Sequence, residues 1–404
     1  DDIHFNISTT DPNYVDPDAI AANGDEYWEI DVGSSGLPLI TDAVNLDATT
    51  QPGYAGAGGR PVIELDGTAT GSGSGINGIT IRANDSTVRG FSVHSFVDEG
   101  IEVDGSTGFG DNNIVANNWV GVDLERNVFG NAEYQVMVSV DATNNRIGGT
   151  GANDGNVIVG APSGFSGLIL RQNADGNFVE GNYIGVLDDG ITAAGNAEHG
   201  VLIGFSSDNN IIGGTAAGAG NVISGNGADG IHVDGTTDAT YTTVVTGTQI
   251  VGNIIGLDAT GTIAVANGDD GIDVKNGATN TPIGGNTAAH RNIISGNTND
   301  GIYLESDGSQ VFGNYIGTDI TGGPGVGNGG AGVRLWNAGT ANMVGSTTPG
   351  AGNLIAYNGL MGVGVDGSSS GTLISSNDIH SNAGLGIDLN ADGSSPNDGG
   401  DADG

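Results

Sequence analysis

Short segments of the form Gly-apolar-x-apolar recur along the sequence, and in the second half of the chain they carry residues capable of acid–base chemistry. If both apolar residues of a segment face inward, x faces outward, because side chains alternate along a strand. Reading x from successive segments gives Leu202, His232, Asp273, Tyr303, Arg334 and Gly364. The residue after each segment gives Gly204, Asp234, Lys275, Glu305, Trp336 and Asp366. We therefore expect two adjacent exposed stripes of carboxylates, cations and aromatic rings.

Two carboxylates of these stripes have a spacing that suits glycoside hydrolysis. Asp273 and Glu305 lie one segment and two residues apart, which places their Cα atoms about 8 Å apart in stacked strands. Inverting glycosidases hold their two carboxyl groups about 6.5–9.5 Å apart. If the chain is an enzyme, we expect its catalytic groups to be Asp273, Glu305, His232, Tyr303, Lys275 and Arg334. The rings of Trp336 and Tyr303 would then bind the sugar.

The same stripes have a structural interpretation, which we favour. Alternating charges and aromatic rings on neighbouring strands form cross-strand pairs worth about 0.2–1 kcal/mol each. The sequence has no P-loop or HExxH pattern and no cysteine. On this interpretation Ile272 faces the core, so that Ile272→Asp disrupts the fold, whereas Asp273→Ala is nearly silent for stability.

A candidate calcium site lies near the C-terminus. The segment DLNADG, which begins at Asp388, matches the opening of a D-x-N-x-D-G calcium loop, but the twelfth position is Gly399 instead of Glu. Hard cations bind carboxylate and amide oxygens. Asp388, Asn390, Asp392 and Asp398 are therefore candidate Ca²⁺ ligands. The alternative is a solvated acidic linker.

The elements that would position all these residues are repeats. In the second half, the segments begin about 30 residues apart, at Gly200, Gly230, Gly271, Gly301, Gly332, Gly362 and Gly386. No segment with helical periodicity separates the strands, so a parallel sheet must coil directly on itself. The sequence predicts an all-β fold, a right-handed parallel β-helix of about eleven coils with an N-terminal cap. Recurring Asn182, Asn253 and Asn314 predict stacked amide ladders at equivalent turns.

The repeat pattern also predicts the organisation of the chain. Residues 1–66 lack the repeat and are interpreted as an N-terminal cap with the first strands. Residues 67–390 form the β-helix repeats. Residues 391–404 are acidic and poor in apolar side chains, which indicates a tail or a linker to a further domain.

Several phrases of the repeat resemble a known type of protein. DATTQPGY, PVIELDG, GNYIG, NNIIGGT, GNVISGN and GLGIDLN are similar to the right-handed parallel β-helix repeat regions of large bacterial secreted and cell-surface proteins. The resemblance runs from about residue 40 to 390. It implies an extracellular location, either secreted or at the cell surface, and a role as stalk or spacer. In that family GIDLN is commonly followed by an acidic linker to another domain.

Charge limits the partners of the chain. Lys and Arg number 9 against 48 Asp and Glu, a net charge of −39. Nucleic acid binding needs clustered cations that release phosphate counterions, so we expect none. We also expect no membrane insertion, because no stretch approaches the roughly 18–20 apolar residues of a membrane span. Polyanionic polysaccharides would be repelled unless divalent cations bridge the charges.

These observations predict an extracellular structural or adhesive module, such as a stalk, a surface fibre or a filament unit, stabilised by cations such as Ca²⁺. The alternative is a polysaccharide hydrolase or lyase that uses the exposed stripe. Expected partners are a second copy bound end to end, a following domain of the same protein, or a polysaccharide.

Overall fold

The fold is seen in a computed structural model that describes residues 1–20, 24–71, 75–237 and 239–390. Within these ranges the chain forms three long β-sheets and two short 3-10 helices, Ala48–Thr50 and Ala288–His290. No helix in the described part is long and apolar enough to cross a bilayer. The predicted all-β class is therefore confirmed.

Each sheet is a stack of very short strands. Sheet 1 has 12 described strands: Asp2–His4, Asn45–Asp47, Thr87–Arg89, Ile114–Ala116, Arg146–Gly148, Phe178–Glu180, Ile211–Gly213, Gln249–Val251, Pro282–Gly284, Gln310–Phe312, Met343–Val344 and Leu373–Ile374. Sheet 2 has 13: Tyr14–Val15, Tyr27–Asp31, Ile63–Asp66, Phe91–His94, Trp119–Val120, Val157–Ile158, Tyr183–Ile184, Val222–Ile223, Ile254–Ile255, Ile293–Ile294, Tyr315–Ile316, Leu354–Ala356 and Asp378–His380. Sheet 3 has 11: Ile79–Ile81, Ile101–Asp104, Val136–Ser139, Leu168–Arg171, Val201–Ile203, Ile231–Asp234, Ile272–Lys275, Ile302–Leu304, Val333–Trp336, Val363–Asp366 and Ile387–Leu389.

The path of the chain through these sheets makes a coil. From Ile79 onward it visits sheet 3, then sheet 1, then sheet 2, and each strand pairs in parallel with the strand one turn later. Connections between parallel strands of one sheet are almost always right-handed, because the strands themselves twist to the right. The chain is a right-handed parallel β-helix, as the sequence predicts.

The core is a continuous stack of branched aliphatic side chains along the inside of the coil. Alternation places Ile231 and Val233 inward, and both are fully buried there. One coil later Ile272 and Val274 take the same positions and pair with them in register. A parallel sheet favours such side chains because they pack on the same residue type above and below.

Asparagine side chains add three hydrogen-bonded ladders that run along the rod. In the longest ladder each side-chain amide donates to the side-chain oxygen of the next Asn at 2.8–3.2 Å, and its members are Asn118, Asn156, Asn182, Asn221, Asn253, Asn292, Asn314, Asn353 and Asn377. The second ladder contains Asn196, Asn226, Asn267, Asn297, Asn328, Asn358 and Asn382. The third contains Asn113, Asn145, Asn177 and Asn210. The predicted ladders are confirmed.

These buried amides are well satisfied. Asn253, for example, also donates to the backbone carbonyl of Ile212 at 2.8 Å. A buried polar group without a partner would cost about 1–3 kcal/mol, whereas a satisfied one contributes about 1 kcal/mol. The ladders therefore stabilise the contacts between coils at these sharp, buried corners.

A glycine is required at some of these corners. Gly256 has a φ of +85°, and an added Cβ would collide with the carbonyl oxygen of Ser295 in the next coil. Two residues later, Asp258 accepts hydrogen bonds from the backbone N–H groups of Thr262 and Ile263, both at 2.9 Å. Corner glycines thus allow close stacking of coils, and the Asp fixes the loop that follows.

The first 66 residues already take part in the sheets. Asp2–His4 and Asn45–Asp47 begin sheet 1, and Tyr27–Asp31 pairs in parallel with Ile63–Asp66 in sheet 2. At the edge of sheet 2, Tyr14–Val15 pairs antiparallel with Tyr27 and Trp28. The predicted boundary at residue 66 stays a prediction, as does the role of residues 391–404, which lie outside the described part.

Candidate functional site

The candidate site lies on the outer side of sheet 3, where the strands pair in the register that the sequence predicts. His232 pairs with Asp273, Asp273 with Tyr303, and Tyr303 with Arg334. In the neighbouring stripe Asp234 pairs with Lys275. The stripes therefore exist as contiguous rows.

The burial of these rows differs from the expectation of an exposed surface. His232 and Asp273 are only 4% and 3% exposed, although both lie outside the aliphatic core. Tyr303 and Arg334 are half-buried. Alternation along a strand predicts the direction of a side chain but says nothing about what lies above it. Here the residues that precede each strand approach the outward side chains, so the expectation that Asp273→Ala is silent has to be corrected.

The other predicted residues of the stripes lie nearer the solvent. Glu305 follows the strand Ile302–Leu304, is half-buried, and donates its backbone N–H to the carbonyl of Val274 at 2.7 Å. Trp336 ends its strand, pairs with Asp366, and is 43% exposed. The side chain of Lys275 is 34% exposed.

A row of aspartates beside the strands was missed by the sequence reasoning. Asp229, Asp270 and Asp300 each directly precede the Gly that opens a strand segment, and all are buried. Asp229 accepts from the backbone N–H of Asp270 at 3.0 Å, and Asp270 accepts from that of Asp300 at 2.8 Å. The recurring Asp-Gly pair was the available signal.

The histidines and carboxylates of the site form a paired cluster. Oδ2 of Asp229 lies 3.1 Å from Nδ1 of His199 and 2.9 Å from Nδ1 of His232. Oδ2 of Asp273 lies 3.3 Å from Nδ1 of His232 and 2.6 Å from Nζ of Lys275. These pairs link three successive coils.

A second group of charges continues along the rod. Nε of Arg334 lies 3.5 Å from Oδ2 of Asp300 and 3.9 Å from Oδ2 of Asp366. Its guanidinium thus bridges the aspartate row and the outer stripe. Lys275, His232 and Arg334 each have a carboxylate within 4 Å in these rows.

Burial and pairing shift the pKa values of the cluster in opposite directions. Burial acts to lower the pKa of His232, but its hydrogen bonds to Asp229 and Asp273 outweigh burial and raise the pKa to about 9. Burial acts to raise the pKa of Asp229, but hydrogen bonds from His199 and His232 hold it well below its ordinary value. Protonated His232 and ionised Asp229 therefore stabilise each other.

Asp270 and Tyr303 behave differently. Burial, followed by repulsion from Asp300, raises the pKa of Asp270 to about 8. Burial, followed by repulsion from Glu305, raises the pKa of Tyr303 to about 12. Both groups hold their protons at neutral pH. Asp229 and Asp273 accept from His232, and Asp273 also from Lys275, and a carboxylate paired with a cation in this way is a weak base.

Three kinds of residue set could hold a metal. The cluster of His199, Asp229 and His232 offers two imidazole nitrogens and a carboxylate oxygen within 4.8 Å of one another. Carboxylate-only sets include Glu29 with Asp31 and Asp66, and Asp98 with Glu99 and Glu133. The predicted calcium ligands fall partly outside the described chain: Asp388 is buried and Asn390 ends the described part, whereas Asp392 and Asp398 lie beyond it.

A sizeable cavity lies elsewhere. It has a volume of about 580 Å³ over sheet 2, and its lining includes Arg60, Trp119, Arg126, Tyr183 and Asp188. Arg126 is paired with Asp188 at 2.7 Å. None of the stripe residues lines this cavity.

Comparison with solved structures shows a similarity of fold. No protein-family model matches the sequence, and no curated protein matches it. The A-module of the Azotobacter vinelandii mannuronan C-5 epimerase AlgE6 is 16% identical with a TM-score of 0.43, and the match covers 92% of this chain and 89% of that one. The periplasmic alginate epimerase AlgG is 15% identical with a TM-score of 0.41, with 96% and 76% covered. The Dettilon tailspike protein is 15% identical with a TM-score of 0.44, with 87% and 61% covered. Such low identities say nothing of activity.

Proposed function

We propose that this chain is an extracellular structural or adhesive module, a stiff spacer that belongs to a stalk, a surface fibre or a filament. One observation carries the proposal: several charged side chains of the outer stripe pair with one another or with the neighbouring aspartate row, some within a strand and some across successive coils. His232 and Lys275 both contact Asp273, and Arg334 contacts Asp300. Groups engaged in this way hold coils together, whereas a catalytic site needs a free base or nucleophile aimed at a substrate.

The length of the ladders supports the same role. Hydrogen bonds between Asn side chains continue from Asn118 to Asn377 along one corner of the coil. Each coil contacts its neighbours through backbone pairing, core stacking and these ladders. Stability of such a repeat protein is close to a sum of contacts between neighbours, so length can grow without a new core.

Incubation with plant and algal polysaccharides tests this proposal. We expect no product from the native chain or from Asp273→Asn. The matched control is Asp378→Asn, because Asp378 is an exposed carboxylate at the end of the rod. Product release by the native chain and by Asp378→Asn, abolished in Asp273→Asn, would overturn the structural role.

Polysaccharide binding or cleavage is the second candidate, and the exposed ring of Trp336 favours it. Trp336 lies two residues after Arg334 on one strand, and Tyr303 is half-buried one coil earlier. Aromatic rings beside cations and carboxylates suit the apolar faces and hydroxyl groups of sugars. Retention on a polysaccharide affinity gel that is lost in Trp336→Ala supports binding. Equal retention of both proteins speaks against it.

End-to-end contact is the partner interaction that we propose. Among the described residues, the final coil leaves Leu373, Ile387 and Leu389 about half exposed. Exposed strand edges of this kind are normally covered in proteins, here by a second copy or a following domain. Sedimentation over a range of concentrations, with calcium or with chelator, should show association; a monomer under every condition argues against self-association.

Calcium is proposed to act at Asp388, Asn390, Asp392 and Asp398. Calcium should raise the melting temperature of the native chain more than that of the double variant Asp388→Asn, Asp398→Asn. An equal calcium effect on both proteins would place the ion elsewhere.

A further inference from the structure

Three ligand atoms from two successive coils converge at one end of the charged stripe, and a carboxylate of the next coil contacts one of them. Nδ1 of His199 and Nδ1 of His232 lie 3.1 and 2.9 Å from the same oxygen, Oδ2 of Asp229. Oδ2 of Asp273 lies 3.3 Å from Nδ1 of His232. The two imidazole rings stack with centroids 4.2 Å apart and an angle of 26°. Strand order brings together residues of three coils that are up to 74 positions apart in the sequence.

These separations match the edges of a small metal coordination shell. Zinc binds His nitrogens at about 2.0–2.1 Å and carboxylate oxygens at about 2.0–2.2 Å in tetrahedral geometry. Two ligands of such a tetrahedron lie about 3.3 Å apart, as bond length and angle require. The separations of 3.1 and 2.9 Å between the two histidine nitrogens and Oδ2 of Asp229 are close to this edge length.

A second observation points to a cation at this place. Asp273 is 3% exposed, yet its Oδ1 has no hydrogen-bond partner among the described residues. A buried carboxylate oxygen without a partner is costly. A divalent ion would place positive charge beside these buried carboxylates.

The ligand chemistry selects the class of ion. Imidazole suits zinc, copper and nickel, whereas calcium and magnesium take oxygen ligands. Two nitrogens and one or two carboxylate oxygens therefore favour a zinc-like transition metal. The side chain of His199 is 19% exposed, which leaves an entry path from the solvent.

We propose that His199, Asp229 and His232 bind one zinc-class divalent ion, with Asp273 as the neighbouring carboxylate that completes or supports the shell. The ion would join two consecutive coils directly and reach the third through Asp273. This site goes beyond the structural role proposed above and does not depend on it, because binding can be measured whatever the chain does.

Cobalt is the probe for the test, because four-coordinate Co²⁺ with nitrogen ligands absorbs visible light. The native chain, stripped of metal with chelator and returned to chelator-free buffer, is titrated with Co²⁺ and then with Zn²⁺. We expect one equivalent of Co²⁺, displaced by one equivalent of Zn²⁺ and not by an equal concentration of Ca²⁺. No visible band, or displacement by Ca²⁺, would overturn the proposal.

Variants locate the ion. Loss of a supporting residue alone weakens metal binding about 10–100-fold, so we expect His199→Ala to weaken Co²⁺ binding at least about 100-fold. His199 is partly exposed, so this variant should fold, and circular dichroism checks that it does. The first control is His94→Ala, because His94 is a buried histidine beside Glu64 in another part of the rod. The second is His290→Ala, in the helix Ala288–His290. Native affinity in His199→Ala, or loss of binding in either control, would overturn the assignment.

Discussion

Two strands of sheet 3 carry ionisable residues at equivalent positions, but the pKa of the buried acid before the strand is raised in one case and lowered in the other. In the first, Glu99 precedes the strand Ile101–Asp104 and Glu102 faces outward from it. In the second, Asp229 precedes the strand Ile231–Asp234 and His232 faces outward. The fold buries both acids that precede a strand to a similar degree, so their different behaviour comes from their neighbours.

In the first region carboxylates surround carboxylates. Burial, followed by repulsion from Asp98, raises the pKa of Glu99 to about 8. Burial, followed by repulsion from Asp104, raises the pKa of Glu102 to about 7. In the second region hydrogen bonds from two histidines lower the pKa of Asp229. Position in the coil determines burial, but the residue one coil away determines whether the buried acid keeps its proton.

The largest expected effect comes from removing the shared carboxylate of the second region. Asp229→Ala leaves protonated His232 buried with Asp273 as its remaining partner, and breaking a buried pair costs about 3–5 kcal/mol. We expect urea denaturation at pH 7 in metal-free buffer to show a loss of about 3 kcal/mol. The matched variant Glu99→Ala should lose less, because Glu99 has no cation to release. Equal losses would break the comparison.

The pH dependence of the first region gives the next effect. A carboxyl whose pKa is raised in the folded state stabilises the fold below its ordinary pKa, and that stability is lost as the pH rises through the folded value. Between about pH 4.5 and pH 8, Glu99 should therefore destabilise the chain progressively. Glu99→Gln cannot ionise, so we expect it to be about 1–2 kcal/mol more stable than the native chain at pH 9 and equal at pH 5.

Denaturation at the two pH values measures this effect, with Asp378→Asn as a control at an exposed carboxylate. A parallel loss of stability in the native chain and Glu99→Gln would contradict the assignment of the pH dependence to Glu99.

Placing a histidine in the first region, at the position equivalent to His232 in the second, should give a smaller gain in stability. Glu102→His places an imidazole beside Glu99 at the position that His232 occupies beside Asp229. We expect a stabilisation of about 1 kcal/mol at pH 6, the size of a hydrogen bond between partly buried groups. Relative to Glu102→Gln, which removes the same carboxylate, melting curves should show the gain at pH 6 and not at pH 9, because the imidazole must be protonated. A gain that is the same at both pH values would mean that packing causes it.

Salt should produce the smallest change. The negative side chains behind the net charge of −39 repel one another. At 1 M ionic strength the Debye length falls to about 3 Å, so this repulsion is screened. We expect the melting temperature to rise by about 1–2 °C, corresponding to roughly 1 kcal/mol for a chain of this length, from 10 mM to 1 M NaCl. The double variant Glu99→Gln, Glu102→Gln should respond less than the native chain. An identical response would show that the repulsion is spread evenly over the surface.

The sequence predicts the fold well because each coil repeats the same short-range sequence pattern. Glycine spacing located the strands of sheet 3, and alternation placed Ile231 and Val233 in the core. Recurring Asn at corners predicted the ladders. These features depend on residues a few positions apart, which a sequence displays directly.

The candidate site was predicted less completely. The stripe of His232 and Asp273 was found, but its burial and the row beside it were not. Contacts such as that between His199 and Asp229 join residues one coil apart, and their closeness depends on how loops of unequal length fold over a strand. The recurring Asp-Gly pairs indicated the row of aspartates. An Asp before a Gly is common in turns, however, so the pattern was not specific.

The asparagine ladders give the rod an electrical direction. In each of the three, the amide N–H groups donate toward the C-terminal end, as from Asn118 to Asn156 and from Asn196 to Asn226. Aligned amide dipoles polarise one another and strengthen each bond by about 10–30%. Their positive pole faces the last coil, where Asp388 is buried. The electric field therefore differs between the two ends of the rod, as their shapes do. A charged partner would interact differently with each end.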